Sequence, residues 1–430
     1  MRGAADQSAG VLPPRSEIDR LFLPDAFLWA TGIEDTFVDH PHAKTGRALD
    51  EYALTGHYER LEADLDRIAA LGVGCARYGL PWYRIEPARG KWDWSFADRA
   101  LEGLLARGVE PIVDLVHYGT PAWLEGGFLS QNYPRAVAEY AAAVASRYKG
   151  RVRWYTPLNE PRITAYYCGK LGHWPPYARG WGGFVRVMLN VCRGIVMTEA
   201  TLRAVDREIV TVHVDATDLY EPSEPHHVEQ AEWRQSLVYL ALDLVTGRVD
   251  AAHPLSEWLE RNGATPEDLA WFRAHPANPD VVGINLYPMF SRKVSVPGPR
   301  VRFRMPYAGM PALVEDIGRA YWERYRKPVM VTETAAAGSV RKRAAWLDAS
   351  IEGCRRLREA TVPIVGYTWW PTYSLVAWSY RGSAHPVDRY VVHMGLYDLL
   401  PDLNRVETPL VSDFRARTQG QTPGRLAEPI

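Results

Sequence analysis

The amino-acid sequence predicts a single (β/α)8 barrel, on three observations. Eight short apolar runs alternate with amphipathic helical stretches along the 430 residues. The segments after the runs are long and aromatic, at 118–133, 162–183, 217–230, 288–311 and 371–395, whereas those before them are short. No shift in composition marks a second domain, and one large barrel takes roughly 250 to more than 400 residues.

The elements follow in order. Run 26–31 leads into Gly32-Ile33-Glu34-Asp35-Thr36. An open doubly wound sheet would place a glycine-rich phosphate turn there, and this is not one. The stretch 57–71 sets Leu61, Leu65, Ile68 and Leu71 on one helical face, and Gly72 ends it. Run 74–80, helix 96–105 with Gly108 as its stop, and run 110–117 come next. Helix 136–148 ends at Gly150 before run 152–158. Helix 184–205, run 209–215, helix 233–245 and run 281–287 continue the alternation. Helix 313–325, run 328–332, helix 344–357 and run 363–369 complete it. Alternation of this kind calls for parallel pairing with right-handed crossovers. The expected organisation is a flexible segment over 1–20, the barrel over 21–415 and a tail over 416–430.

Charge excludes one class of partner. Lys and Arg total 50 against 51 Asp and Glu, so the basic excess that nucleic-acid binding needs is missing. No stretch reaches the roughly 18 apolar residues of a membrane span, and 1–10 lacks an apolar signal core, so a cytoplasmic protein is expected. Cys75, Cys168, Cys192 and Cys354 lie far apart and are expected as free thiols. His226-His227 has no companion at ligand spacing, so no metal or other cofactor is expected. The 16 Trp and 23 Tyr outnumber the 10 Phe. Aromatic rings with a polar handle suit half-wet clefts, such as those that hold sugars. The stretch 166–181, with Trp174, Tyr177 and Trp181, offers flat faces for such rings, or packs its own loop.

Two acids close apolar runs. Glu160 follows the fourth run in Thr156-Pro157-Leu158-Asn159-Glu160-Pro161, and Glu333 ends the seventh in Val331-Thr332-Glu333-Thr334. Ends of strands four and seven face each other across a barrel mouth. Glycoside hydrolysis needs such a pair, one carboxyl protonated and one ionised.

With these motifs the chain resembles glycoside hydrolase family 1, the β-glucosidase-like retaining enzymes, as a divergent member. The resemblance implies Glu160 as acid/base, Glu333 as nucleophile and Asn159 as a ligand of the sugar 2-hydroxyl. Arg77, in Arg77-Tyr78-Gly79-Leu80-Pro81-Trp82, falls on the arginine beside the nucleophile. His117 falls on the strand-three sugar ligand, and Tyr287 on the tyrosine that bonds the nucleophile. Trp370 and Trp378 match the two strand-eight tryptophans of the substrate site. The partner implied is a small glycoside or oligosaccharide. The departures concern the sugar-reading groups. The family's strand-one Gln aligns with Asp35 or Gly32, its Glu before the last Trp is Ala377, and Tyr118 replaces the Trp after the histidine. The anion clamp of phospho-sugar members is replaced by Val392 and Met394, and Arg381 and Arg389 are expected as solvated loop charges. The expected function is a retaining β-glycosidase whose glycone is not plain glucose. The alternatives are a transglycosidase on the same site and a non-catalytic sugar-binding barrel.

Overall fold

In the computed structural model, which describes residues 20–21, 23, 25–420 and 423, all eight runs are parallel strands of one closed barrel. They are β1 (Leu28–Gly32), β2 (Cys75–Gly79), β3 (Glu110–Asp114) and β4 (Trp154–Thr156). β5 (Val210–Ala216), β6 (Val281–Asn285), β7 (Val329–Thr334) and β8 (Ile364–Trp369) complete the ring. β1 closes it by pairing with both β2 and β8. The outer layer holds α1 (Leu61–Ala70), α2 (Ser95–Ala106), α3 (Tyr133–Arg147) and α4 (Gly180–Val205). It continues with α5 (Val228–Val245), α6 (Pro311–Tyr325), α7 (Val340–Glu359) and α8 (Pro409–Gly420). Gly72, Gly108 and Gly150 have φ of 72°, 74° and 74°, the left-handed stop read from the sequence.

Helix α8 crosses the expected boundary between 415 and 416. Arg415 donates to the Ala70 carbonyl and Thr418 to that of Leu71, which fastens α8 beneath α1. The expected flexible segment 1–20 lies, apart from residue 20, outside the described residues.

The strands explain how the site is positioned. They are buried on both faces, so they read as apolar runs rather than as alternations. Ala30, Cys75, Ile112, Trp154, Val212, Val281, Met330 and Val365 form the barrel's inner plug, where one large Trp154 meets small partners. Side chains on a strand repeat their direction every second residue. Two positions above Cys75, Ile112 and Met330 stand Arg77, Asp114 and Thr332, and four above Val281 stands Asn285. The apolar plug thus gives way, one layer up, to a fully buried polar floor.

Candidate active site

Glu333 owes its direction to an irregularity. Thr332 already holds the inward position on β7, and the pairing registers to both β6 and β8 shift between Val331 and the residues after it. Such a bulge re-aims a side chain at a barrel rim, and here Glu333 turns into the mouth. Glu160 is turned by its backbone. Its φ is 48°, left-handed, and it caps the single turn Pro161–Thr164. Its N–H donates to Val214 on β5, and Asn159 donates to Val116, so the segment is held from both sides.

Both carboxyl groups line one cavity of about 610 Å³ at the carboxyl ends of the strands, the face where barrels of this type build active sites. Their surroundings differ. Glu333 accepts from Arg77 Nη1 at 2.6 Å and from the Tyr287 hydroxyl at 2.7 Å. Burial raises its pKa, and Arg77, His117 and Tyr287 oppose the rise. Glu160 accepts from the Tyr118 hydroxyl, and from Asn285 Nδ2 at 2.8 Å. Burial and the charge of Glu333 push its carboxyl up to about 7. A cation touches Glu333 alone and favours its anion, an aid that Glu160 lacks.

A polar layer supports the pair. Arg77 also donates to Asp114 at 2.5 Å and to Asn159 Oδ1 at 3.0 Å, and its guanidinium sits 4.9 Å from the Trp370 ring centroid. His117 Nδ1 lies 2.7 Å from Asp35 and 3.2 Å from Asp114. Burial opposes the imidazolium, but the two aspartates outweigh it and hold its pKa well above the ordinary histidine value. Asn159 Nδ2 contacts His117 Nε2 at 3.0 Å and donates to Tyr118 at 3.1 Å.

Of the eight residues expected in the site, Glu160, Glu333, His117, Tyr287 and Trp378 line the cavity. Arg77, Asn159 and Trp370 stand behind that wall, each 1% exposed or less. Trp370 stacks on His117 with centroids 6.0 Å apart and planes 4° from parallel. The aromatic loop divides its work. Tyr167 reaches the cavity, and Trp174 backs Trp378 at 5.0 Å. Trp181 instead packs against Phe184, Trp233 and Trp258, so its face is used inside the protein.

The family model described as Glycosyl hydrolase family 1 matches residues 30–246. The chain belongs to that family. A thermostable beta-glucosidase B of Thermobispora bispora is 31% identical over 167 residues, 34% of this chain and 35% of that one. A bifunctional beta-D-glucosidase/beta-D-fucosidase of Bifidobacterium breve is 30% identical over 204 residues, 41% and 44% of the two chains. The human cytosolic beta-glucosidase is 27% identical over 224 residues, 49% and 48%. Each match therefore spans less than half of the relative. A Thermotoga maritima beta-glucosidase in complex with deoxynojirimycin superposes with a TM-score of 0.81 over 94% of this chain and 99% of its own, at 21% identity. That likeness establishes the shared fold over nearly the whole length.

The cavity and its floor contain residues that the motifs did not disclose. Glu34, just past β1, lines the cavity, accepts from Thr36 at 2.5 Å and meets Trp370 Nε1 at 3.4 Å. Asp114 closes β3, but in the sequence it lies inside the run 110–117, where Leu115 and Val116 follow it and no run-ending acid shows. Arg162, Asp218 and Lys293 also line the cavity, from the segments that follow the fourth, fifth and sixth strands. Two expectations need correction. Arg381 is not a solvated loop charge. It is 2% exposed and donates to the His40 and His173 carbonyls and to Tyr177, so it ties three loops together. His226 and His227 do have a companion. Glu224 comes within 3.9 and 3.7 Å of their Nε2 atoms, and both Nε2 atoms also face the Gly298 carbonyl.

Proposed function

We propose that the chain is a retaining β-glycosidase working by double displacement, with Glu333 as nucleophile and Glu160 as acid/base. The observation that carries the reading is the pair of carboxyl groups in one cavity, one gripped by Arg77 and Tyr287 and the other pushed up to about 7. Glu333 attacks the anomeric carbon while Glu160 delivers its proton to the leaving oxygen. A glycosyl ester on Glu333 results. Glu160, now an anion, takes a proton from water, which attacks the same carbon and frees Glu333. Tyr287 and Arg77 release charge-assisted bonds as the ester forms and regain them as it breaks. His117 and Trp378 meet the glycone, and Asn159 and Trp370 hold His117 in place from behind the wall. The glycone is not plain glucose, because Ala377 puts a methyl group on the wall where the family carries a carboxylate. Glu34 is the carboxylate this cavity offers to sugar hydroxyls instead. The setting is cytoplasmic, in keeping with four buried cysteines that form no disulfide, and no helix among the described residues is long and apolar enough to cross a membrane.

The test is Glu333→Ala with an activated aryl β-glycoside. Turnover falls by orders of magnitude, and added azide restores it as the α-glycosyl azide, since the anion enters from the face that the carboxylate used. Rescue giving a β-azide assigns the acid/base role to Glu333 and overturns the reading.

A further inference from the structure

The line from Glu160 on β4 to Glu333 on β7 divides the barrel mouth into two arcs. One arc carries β8, β1, β2 and β3, and the other carries β5 and β6. The first holds Trp378, Ala377, Glu34 and His117. The second holds a charged cluster. Arg162, two residues past Glu160, donates through Nη2 to Asp218 Oδ2 at 2.7 Å and to the Ala216 carbonyl at 2.8 Å. Lys293 Nζ stands 2.5 Å from Asp218 Oδ1. All three side chains line the same cavity as the two glutamates.

Charge in this cluster does not balance. Two cations share one carboxylate, and Glu221, three residues beyond Asp218, is spent on Arg292 at 2.7 Å. Burial, with the guanidinium groups of Arg162 and Arg234, pulls the Lys293 ammonium below the ordinary lysine range even though Asp218 opposes. Arg162 is 6% exposed, and its Nε is buried without a partner. A buried cation left in excess costs stability unless an anion meets it. This arc is also the outer one. Phe290 and Met305, which line it, are 52% and 57% exposed. The acid/base stands beside the leaving oxygen, so the arc that begins two residues beyond it faces the leaving group.

We infer that Arg162 and Lys293, bridged by Asp218, form a leaving-group subsite for an anionic aglycone, a carboxylate or a phosphate ester. The inference rests on the glycosidase reading, with Glu160 as acid/base. Arg162 supplies a planar fork and Lys293 a point charge, a combination that suits either anion. Phe290 and Met305 cover the apolar body that carries the charge.

The experiment compares β-glycosides of 4-hydroxybenzoate, of its methyl ester and of 4-hydroxyphenyl phosphate, on the glycone that the protein turns over fastest. The ester is the better leaving group, so chemistry alone ranks it above the carboxylate. The expected result is kcat/KM about tenfold higher for an anion than for the ester, an advantage that shrinks toward 1 M salt, where the Debye length is about 3 Å. The larger of the carboxylate and phosphate ratios tells which anion the site prefers. Lys293→Met and Arg162→Met each lower the anion-to-ester ratio severalfold, and Asp218→Asn raises it. A native ratio at or below one overturns the inference, as does a preference that survives both methionine variants. Binding of the corresponding S-glycosides, followed by tryptophan fluorescence, reads the same ratio without turnover. Anion-selective binding with no hydrolysis of any glycoside refutes the glycosidase reading and leaves the anion site standing. Hydrolysis without anion selectivity does the reverse.

Discussion

Burial raises the pKa of Glu160 and of Glu333, and the difference between them comes from single neighbours. Arg77 touches Glu333 and not Glu160, which favours the proton on Glu160, with its pKa of about 7. In the proposed mechanism cleavage needs Glu160 protonated. Its contribution to the rate is then full below about 7 and falls roughly tenfold per pH unit above it. In the Glu160→Gln variant, assayed with a 2,4-dinitrophenyl glycoside that needs no proton, this alkaline limb disappears from kcat/KM. A limb that persists assigns the titration to another group. A second residue-scale outcome concerns Ala377. Restoring the carboxylate in Ala377→Glu adds a charge-assisted contact of about 1.5–3 kcal/mol, or roughly ten- to a hundredfold in kcat/KM for a glucoside relative to the native protein. If glucoside already heads the native panel and the substitution leaves it unimproved, Ala377 is not the discriminating position.

At the scale of elements, the barrel was legible because parallel strands buried on both faces leave continuous apolar runs, and all eight were read to within a few residues. The two carboxyl groups that share the cavity were legible because an acid ending such a run has no packing reason to be there. Glu34 escaped because it lies past the end of β1, where neither motif nor periodicity speaks. Arg381 was misread because its partners are backbone carbonyls of distant loops, which no local pattern reveals. β1 must also leave room for the site. A Cβ on Gly32 would stand 2.1 Å from the Trp370 ring and 3.0 Å from the Arg77 carbonyl. Gly32→Ala must therefore push Trp370 off His117 and Arg77, an overpacking of about 1–3 kcal/mol. Tm should fall in Gly32→Ala and hold in Gly74→Ala, whose Cβ would meet nothing within 4 Å. Equal midpoints for the two variants contradict this account of β1.

At the scale of the molecule, the barrel is stitched shut by a buried network that joins its first helix to its last segment. Asp64 on α1 contacts His57 at 2.8 Å and Arg405 at 2.6 Å, and His57 reaches the Tyr78 hydroxyl at 2.7 Å. Arg405 also donates to the Thr55 carbonyl at 2.7 Å. Arg405→Met leaves the Asp64 charge to His57 and to the partly exposed Arg67 at 3.3 Å, and costs at most about 3–5 kcal/mol. The urea midpoint drops accordingly with an unchanged slope, whereas a loss below about 1 kcal/mol denies the network that role. This closed frame holds Glu160 and Glu333 on opposite walls of one cavity, and the whole account turns on what Glu333 does there. Its most direct test is mass spectrometry of the intact and digested protein after reaction with a 2-deoxy-2-fluoro β-glycosyl fluoride of the preferred glycone, which slows release of a covalent intermediate. The account predicts one added glycosyl group per chain, carried by the peptide that contains Glu333. Turnover that leaves no adduct, or an adduct on any other residue, contradicts it.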